Sequence, residues 1–181
     1  WQPGGWRAVF QGIGWGALLA TAGVAWLRYL IRTGNYLPVP AAPTPVDWLV
    51  LTLAVPVVEE AFFRGAVFGG LLRTWHPFWA VLISAACYAL LHPAEPWVAY
   101  LLLAGIGYAL AFRLARSVTA PMLAHALVAL SLLLARRFPD ESGALSATAL
   151  WRVGIIAGIV ILLTAFSRRE PREAAGVPAP R

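Results

Sequence analysis

Six apolar runs take up most of the chain, and few folds can accept them. They extend from about Ala8 to Ile31, Trp48 to Leu72, Phe78 to His92, Trp97 to Phe112, Thr119 to Leu134 and Ala147 to Phe166. None alternates apolar and polar residues with period two, so a membrane β-barrel is not expected. A helix that crosses a bilayer needs about 20 apolar residues. Several of these runs are shorter, which calls for tilt, local thinning or incomplete crossing. The expected fold is all-α, a polytopic integral membrane helical bundle with about six transmembrane segments. Composition supports lipid over water: 60% of the residues are hydrophobic and 12% charged. A water-soluble domain carries roughly a quarter charged residues.

The connections are chemically distinct from the runs. NYLPVPAAPTPVD (35–47) is too rich in proline to continue a helix. HPAEPW (92–97) reads as a Pro-flanked turn, and RFPDESG (137–143) as a polar loop closed by glycine. SRREPREAAGVPAPR (167–181) is charged, Pro/Ala-rich and expected to be disordered. The reading is therefore one membrane-embedded domain over 1–166, followed by a tail. No small-residue cleavage site follows the first run, which is read as a mature span rather than a signal peptide.

All 14 cationic side chains are arginine, a bias that hints at GC-rich bacterial coding. A net charge of +6 raises the question of nucleic acid. The arginines are scattered between apolar runs with no basic, aromatic-laced patch, so nucleic acid is not an expected partner. No phosphate-cradling loop is present either, so no nucleotide is expected. With six spans, Arg7, Arg73, Arg113, Arg116, Arg168, Arg169, Arg172 and Arg181 share one side; Arg28, Arg32, Arg136 and Arg137 share the other. Positive loops stay inside, which puts both termini in the cytoplasm of a bacterial inner membrane. The single Cys87 excludes an internal disulfide.

Ionisable residues inside apolar runs are costly and mark function by default. VVEEAFFRG (57–65) places Glu59, Glu60 and Arg64 in the second run. Glu60 and Arg64 are spaced i,i+4 and can pair on one helix face. Glu59, about 100° further round, is left without a local partner and can act as a general base or bind a cation. The bland alternative is an ion pair that only locks packing. His92 ends the third run in CYALLHP, with Tyr88 one turn before it, and His125 lies inside the fifth. Glu95, between Pro93 and Pro96, reads as a loop residue. Two imidazoles and a carboxylate in three separate runs are what a water-activating centre needs, with or without a metal. A divalent ion such as zinc could sit at Glu59, His92 and His125. No H-E-x-x-H, G-x-S-x-G or G-x-G-D occurs, which excludes the corresponding hydrolases.

These residues resemble three motifs of the CPBP family of intramembrane proteases, which includes the type II CAAX endopeptidases and bacterial members of the bacteriocin-processing and abortive-infection type. EEAFFRG (59–65) is similar to its E-E-x-x-x-R. YALLH (88–92) is similar to its aromatic-x-x-x-H, with Tyr88 where Phe is common. SVTAPMLAHALVA (117–129) is similar in context to its H-x-x-x-N, with His125 in place. The resemblance covers about 47–134. It implies an endopeptidase in which Glu59 activates water, His92 and His125 orient it, stabilise the oxyanion or hold a metal, and Glu60 and Arg64 support the site. Membrane-anchored peptides or protein tails are the implied substrates, and both metal-dependent and glutamic mechanisms are compatible with it. Ala129 stands where the family has Asn. Losing such a donor costs on the order of 3 kcal/mol in barrier, which keeps a non-catalytic scaffold or immunity factor as a second reading. A small transporter using Glu59 and the histidines is a third. Counted along upright helices, His92 and His125 differ in depth by roughly 10 Å. Convergence then requires tilt, short helices, or a fifth helix beginning near Phe112.

Overall fold

In the computed structural model, residues 5–35, 44–92, 96–137 and 147–166 are described. Most of the proline-rich linker, residues 93–95 including Glu95, the loop 138–146 and the tail lie outside them. The first helix, α1, runs Trp6–Arg32. The second apolar run folds as one continuous rod over 45–71: α2 (Pro45–Leu49), a π-helical stretch (Val50–Ala54), α3 (Val55–Glu60), a second π-helical stretch (Ala61–Phe68) and α4 (Gly69–Leu71). Then follow α5 (Pro77–Leu90), α6 (Val98–Ala115), α7 (Thr119–Arg137) and α8 (Ala147–Phe166). No strand occurs among the described residues.

Local chemistry sets several of these boundaries. The rod starts on a capping box: Thr44 Oγ1 accepts from the Asp47 N–H at 3.3 Å, and Asp47 Oδ2 accepts from the Thr44 N–H at 2.8 Å. Pro56 cannot donate to the carbonyl four residues back, Thr52, and its ring crowds that carbonyl. Thr52 lies in the first π-helical stretch, where the ladder is widened. No comparable residue explains the second. Arg116 adopts a left-handed conformation (φ 54°) that stops α6, with its N–H on Phe112 O at 2.7 Å. The chain reverses there, so α7 begins at Thr119 and not near Phe112.

Packing centres on α1, which lies along α7 and α8 and also touches α6, while α5 packs on α6. The approach of α1 to α7 depends on glycine. A Cβ on Gly12 would come within 2.8 Å of Ala120 O and of Leu123 Cβ. Gly12→Val should therefore push the two helices apart and lower stability by about 1–3 kcal/mol, as overpacking does; thermal unfolding in detergent measures it. Beside it, Gln11 is 1% exposed and ties α1 to α8. Its amide donates to Ile161 O at 3.1 Å and to the Thr164 hydroxyl, and its Oε1 accepts from Trp15 Nε1 at 3.1 Å.

The distribution of polarity is inverted relative to a water-soluble bundle. Gln11, Glu60, Arg64, Ser84, Ser117 and His125 are buried, while Ile155, Ile156, Leu162 and Leu163 on α8 and Phe78 and Trp79 on α5 face outward. Lipid accepts such an exterior, and a charge inside it is tolerable only when paired. By length and apolarity α1 and α6 can cross a bilayer, and Pro77–Leu90, Thr119–Ala135 and Arg152–Ala165 are shorter apolar helices. The described helices thus form an apolar bundle in which six full-length crossings are not seen.

Candidate active site

The rod places Glu59 and Glu60 at the C-terminal end of α3, adjacent but on different faces. Glu60 turns inward. Both it and Arg64 have side chains 0% exposed, with Arg64 Nε 3.1 Å from Glu60 Oε2. That contact is ionic only, because neither atom has hydrogen-bond geometry. The hydrogen bond runs from Arg64 Nη1 to Glu60 Oε1 at 3.3 Å. Arg64 Nη2 donates to Gly105 O at 3.0 Å. Gly105 is close because it lacks a side chain: a Cβ there would lie 3.0 Å from Ala85 Cα. Three aromatic faces enclose the guanidinium, those of Tyr88 at 4.8 Å, Tyr108 at 5.2 Å and Phe63 at 5.6 Å. Paired, hydrogen-bonded and stacked, Arg64 meets the conditions for a buried cation.

The two histidines arrive from different helices and take different carboxylates. His92 lies just beyond α5, with Nε2 3.1 Å from Glu59 Oε1 and Nδ1 2.7 Å from Tyr88 O. A carbonyl only accepts, so Nδ1 carries a hydrogen. A hydrogen bond between Nε2 and Glu59 Oε1 then needs one proton between them. His125, from α7, sets Nδ1 3.0 Å from Glu60 Oε1. Glu60 faces Arg64 and is a carboxylate, so His125 Nδ1–H donates to it and Nε2 is left without a partner among the described residues. Sequence spacing paired Glu60 with Arg64 alone; the structure adds His125 to that pair. The depth difference expected of upright helices is absent, since both imidazoles reach neighbouring carboxylates. An early α7 is not the reason, because that helix begins at Thr119.

Glu59, Tyr88, His92 and His125 share one cavity of about 560 Å³. The Glu59 Oε2 atom is buried and has no partner. The remaining wall is largely apolar and includes Ala129, Leu132 and Trp97. Residues not singled out by sequence also shape it. Tyr108 stacks on His125, centroids 5.1 Å apart and planes 19° apart, and the Tyr100 hydroxyl donates to Leu19 O at 3.1 Å. Tyr108 was the more findable, as a lone tyrosine in the small-residue run AGIGYALA. Among the described residues no three His, Cys, Asp or Glu side chains form a metal-binding group. The Nδ1 atoms of His92 and His125 are held by a carbonyl and by Glu60, which leaves each ring's Nε2 as the nitrogen that could meet a further group.

Residues 40–131 match the family model described as type II CAAX prenyl endopeptidase Rce1-like. The chain belongs to this family. The match contains all three motifs and ends two residues beyond Ala129. Rce1-like proteins are integral membrane proteases, so the charged cluster buried in an apolar bundle lies inside a peptidase family domain. No curated protein and no solved structure matches the chain.

Proposed function

We propose that this Rce1-like protein is an intramembrane endopeptidase that cleaves membrane-anchored peptides or protein tails in the cavity beside Glu59. One observation carries the reading: a carboxylate with one oxygen 3.1 Å from an imidazole and the other buried without a partner, on the wall of a chamber open to a ligand. In this reading Glu59 holds the attacking water in the cavity. Glu59 takes a proton from this water as its oxygen bonds to the scissile carbonyl carbon. The C–N bond then breaks as the leaving amine receives that proton back. His92 keeps Glu59 oriented through its Tyr88-anchored ring, and Arg64 and Glu60 fix the tautomer and position of His125. This scheme needs no metal. The arginine distribution orients both termini to the cytoplasm of a bacterial inner membrane, and a lipid-anchored substrate would enter laterally.

The test is turnover in proteoliposomes carrying a lipid-anchored fluorogenic peptide. Protein that is folded but cleaves nothing, or that cleaves equally well without the Glu59 carboxylate, is not this enzyme. The position of Ala129 on the cavity wall favours a second reading, a non-catalytic member that holds a peptide in the same chamber. That reading requires peptide binding without hydrolysis.

A further inference from the structure

A base and a water do not complete a hydrolytic centre. Negative charge develops on the carbonyl oxygen, and a fixed donor must meet it. The cavity wall offers three phenols. Tyr100 is committed to Leu19 O. The hydroxyls of Tyr88 and Tyr108 make no hydrogen bond with any described residue, although the two side chains are only 3% and 1% exposed. A buried phenol ordinarily finds a partner. These two rings line the ligand chamber, so a ligand can supply one.

Geometry separates the two. Of the two imidazoles, Tyr108 contacts only that of His125, lying flat against it. Tyr88 contacts both imidazoles, its ring centroid 4.6 Å from His92 and 6.1 Å from His125. Its own carbonyl anchors His92 Nδ1, so the ring and the Glu59–His92 pair are held in one register. The Arg64 guanidinium lies over both rings, 4.8 Å from the Tyr88 centroid and 5.2 Å from that of Tyr108, and so does not distinguish them. Ala129, on the same wall, has no side-chain donor.

We infer that the Tyr88 hydroxyl is the oxyanion donor of this centre. The inference rests on the protease reading above. As the water oxygen bonds to the carbonyl carbon and Glu59 takes its proton, the carbonyl π pair moves onto oxygen. Tyr88 O–H donates a hydrogen bond to that oxygen and keeps its proton. When the C–N bond breaks, the pair returns to re-form the carbonyl. Tyr88 is thus a catalytic residue that touches the substrate, and Tyr108 positions His125.

Tyr88→Phe removes one oxygen and no hydrogen bond to any described residue. In proteoliposomes with the lipid-anchored peptide it should lower kcat about 10²-fold, with KM changed little and the unfolding midpoint unchanged. Tyr108→Phe keeps the ring stacked on His125 and should lower kcat far less than Tyr88→Phe. The inference is overturned if Tyr88→Phe turns over at the wild-type rate, if both variants fall alike, or if the loss appears only with lowered folded stability. Inert wild-type protein would instead defeat the protease reading, and this inference with it.

Discussion

Glu59→Gln should abolish cleavage for practical purposes while leaving the bundle folded. The substitution keeps shape and volume. Its amide can still meet His92 Nε2 at the present 3.1 Å separation, donating to the neutral ring or accepting from the protonated one. What it cannot do is take a proton from water. General base catalysis contributes roughly 10²–10⁴-fold, and the upper end applies here because both transfers in the scheme pass through one carboxylate. Turnover should therefore fall about 10⁴-fold, with peptide binding retained. Two assays on the same preparation check this: product formation under single-turnover conditions, and binding of the uncleaved peptide. A variant that binds and cleaves at the wild-type rate removes Glu59 from the chemistry. A variant that no longer unfolds cooperatively makes Glu59 a packing residue.

Arg64→Met should have the largest effect on stability. Its side chain and that of Glu60 are 0% exposed, and removing the cation strands a carboxylate in an apolar interior. Breaking one partner of a buried pair typically costs 3–5 kcal/mol. The loss here also frees Gly105 O and three aromatic faces. The double variant Glu60→Gln, Arg64→Met removes both charges and should recover much of the midpoint, because it is the unpaired charge that costs, not the absence of a bridge. If the single and double variants unfold alike, burial of an unpaired charge is not what Arg64 prevents.

The two predictions differ in how readily sequence alone anticipates them. The Glu60–Arg64 pair was readable because i,i+4 spacing on a helix is short-range geometry that needs no tertiary information. The apolar runs likewise marked out the helices, and Ala147–Phe166 coincides with α8. What spacing could not supply was partner choice between helices. His125 takes Glu60, and His92 takes Glu59, because of how α5 and α7 approach the rod. A difference of about 100° between neighbouring glutamates decides that. Pro56 carried a signal for a distorted ladder in the rod, whereas the second π-helical stretch, beside Glu60, has none. The roles of Gly105 and Tyr108 were hidden as well, one acting through a backbone carbonyl and the other through stacking.

The Glu60–Arg64 contact also bears on how the protein is made. Both partners lie on one helical rod, so the ion pair can close as soon as that rod winds, before α5, α6 or α7 has been synthesised. The segment can then leave the insertion machinery as an internally neutralised zwitterion, while Glu59 stays close to one end of the pair's field. A partner drawn from a later helix would have left a lone arginine waiting in lipid for most of translation. The order of the chain thus makes its most expensive buried charge safe first, and Glu59 acquires its histidine only when the third apolar run arrives.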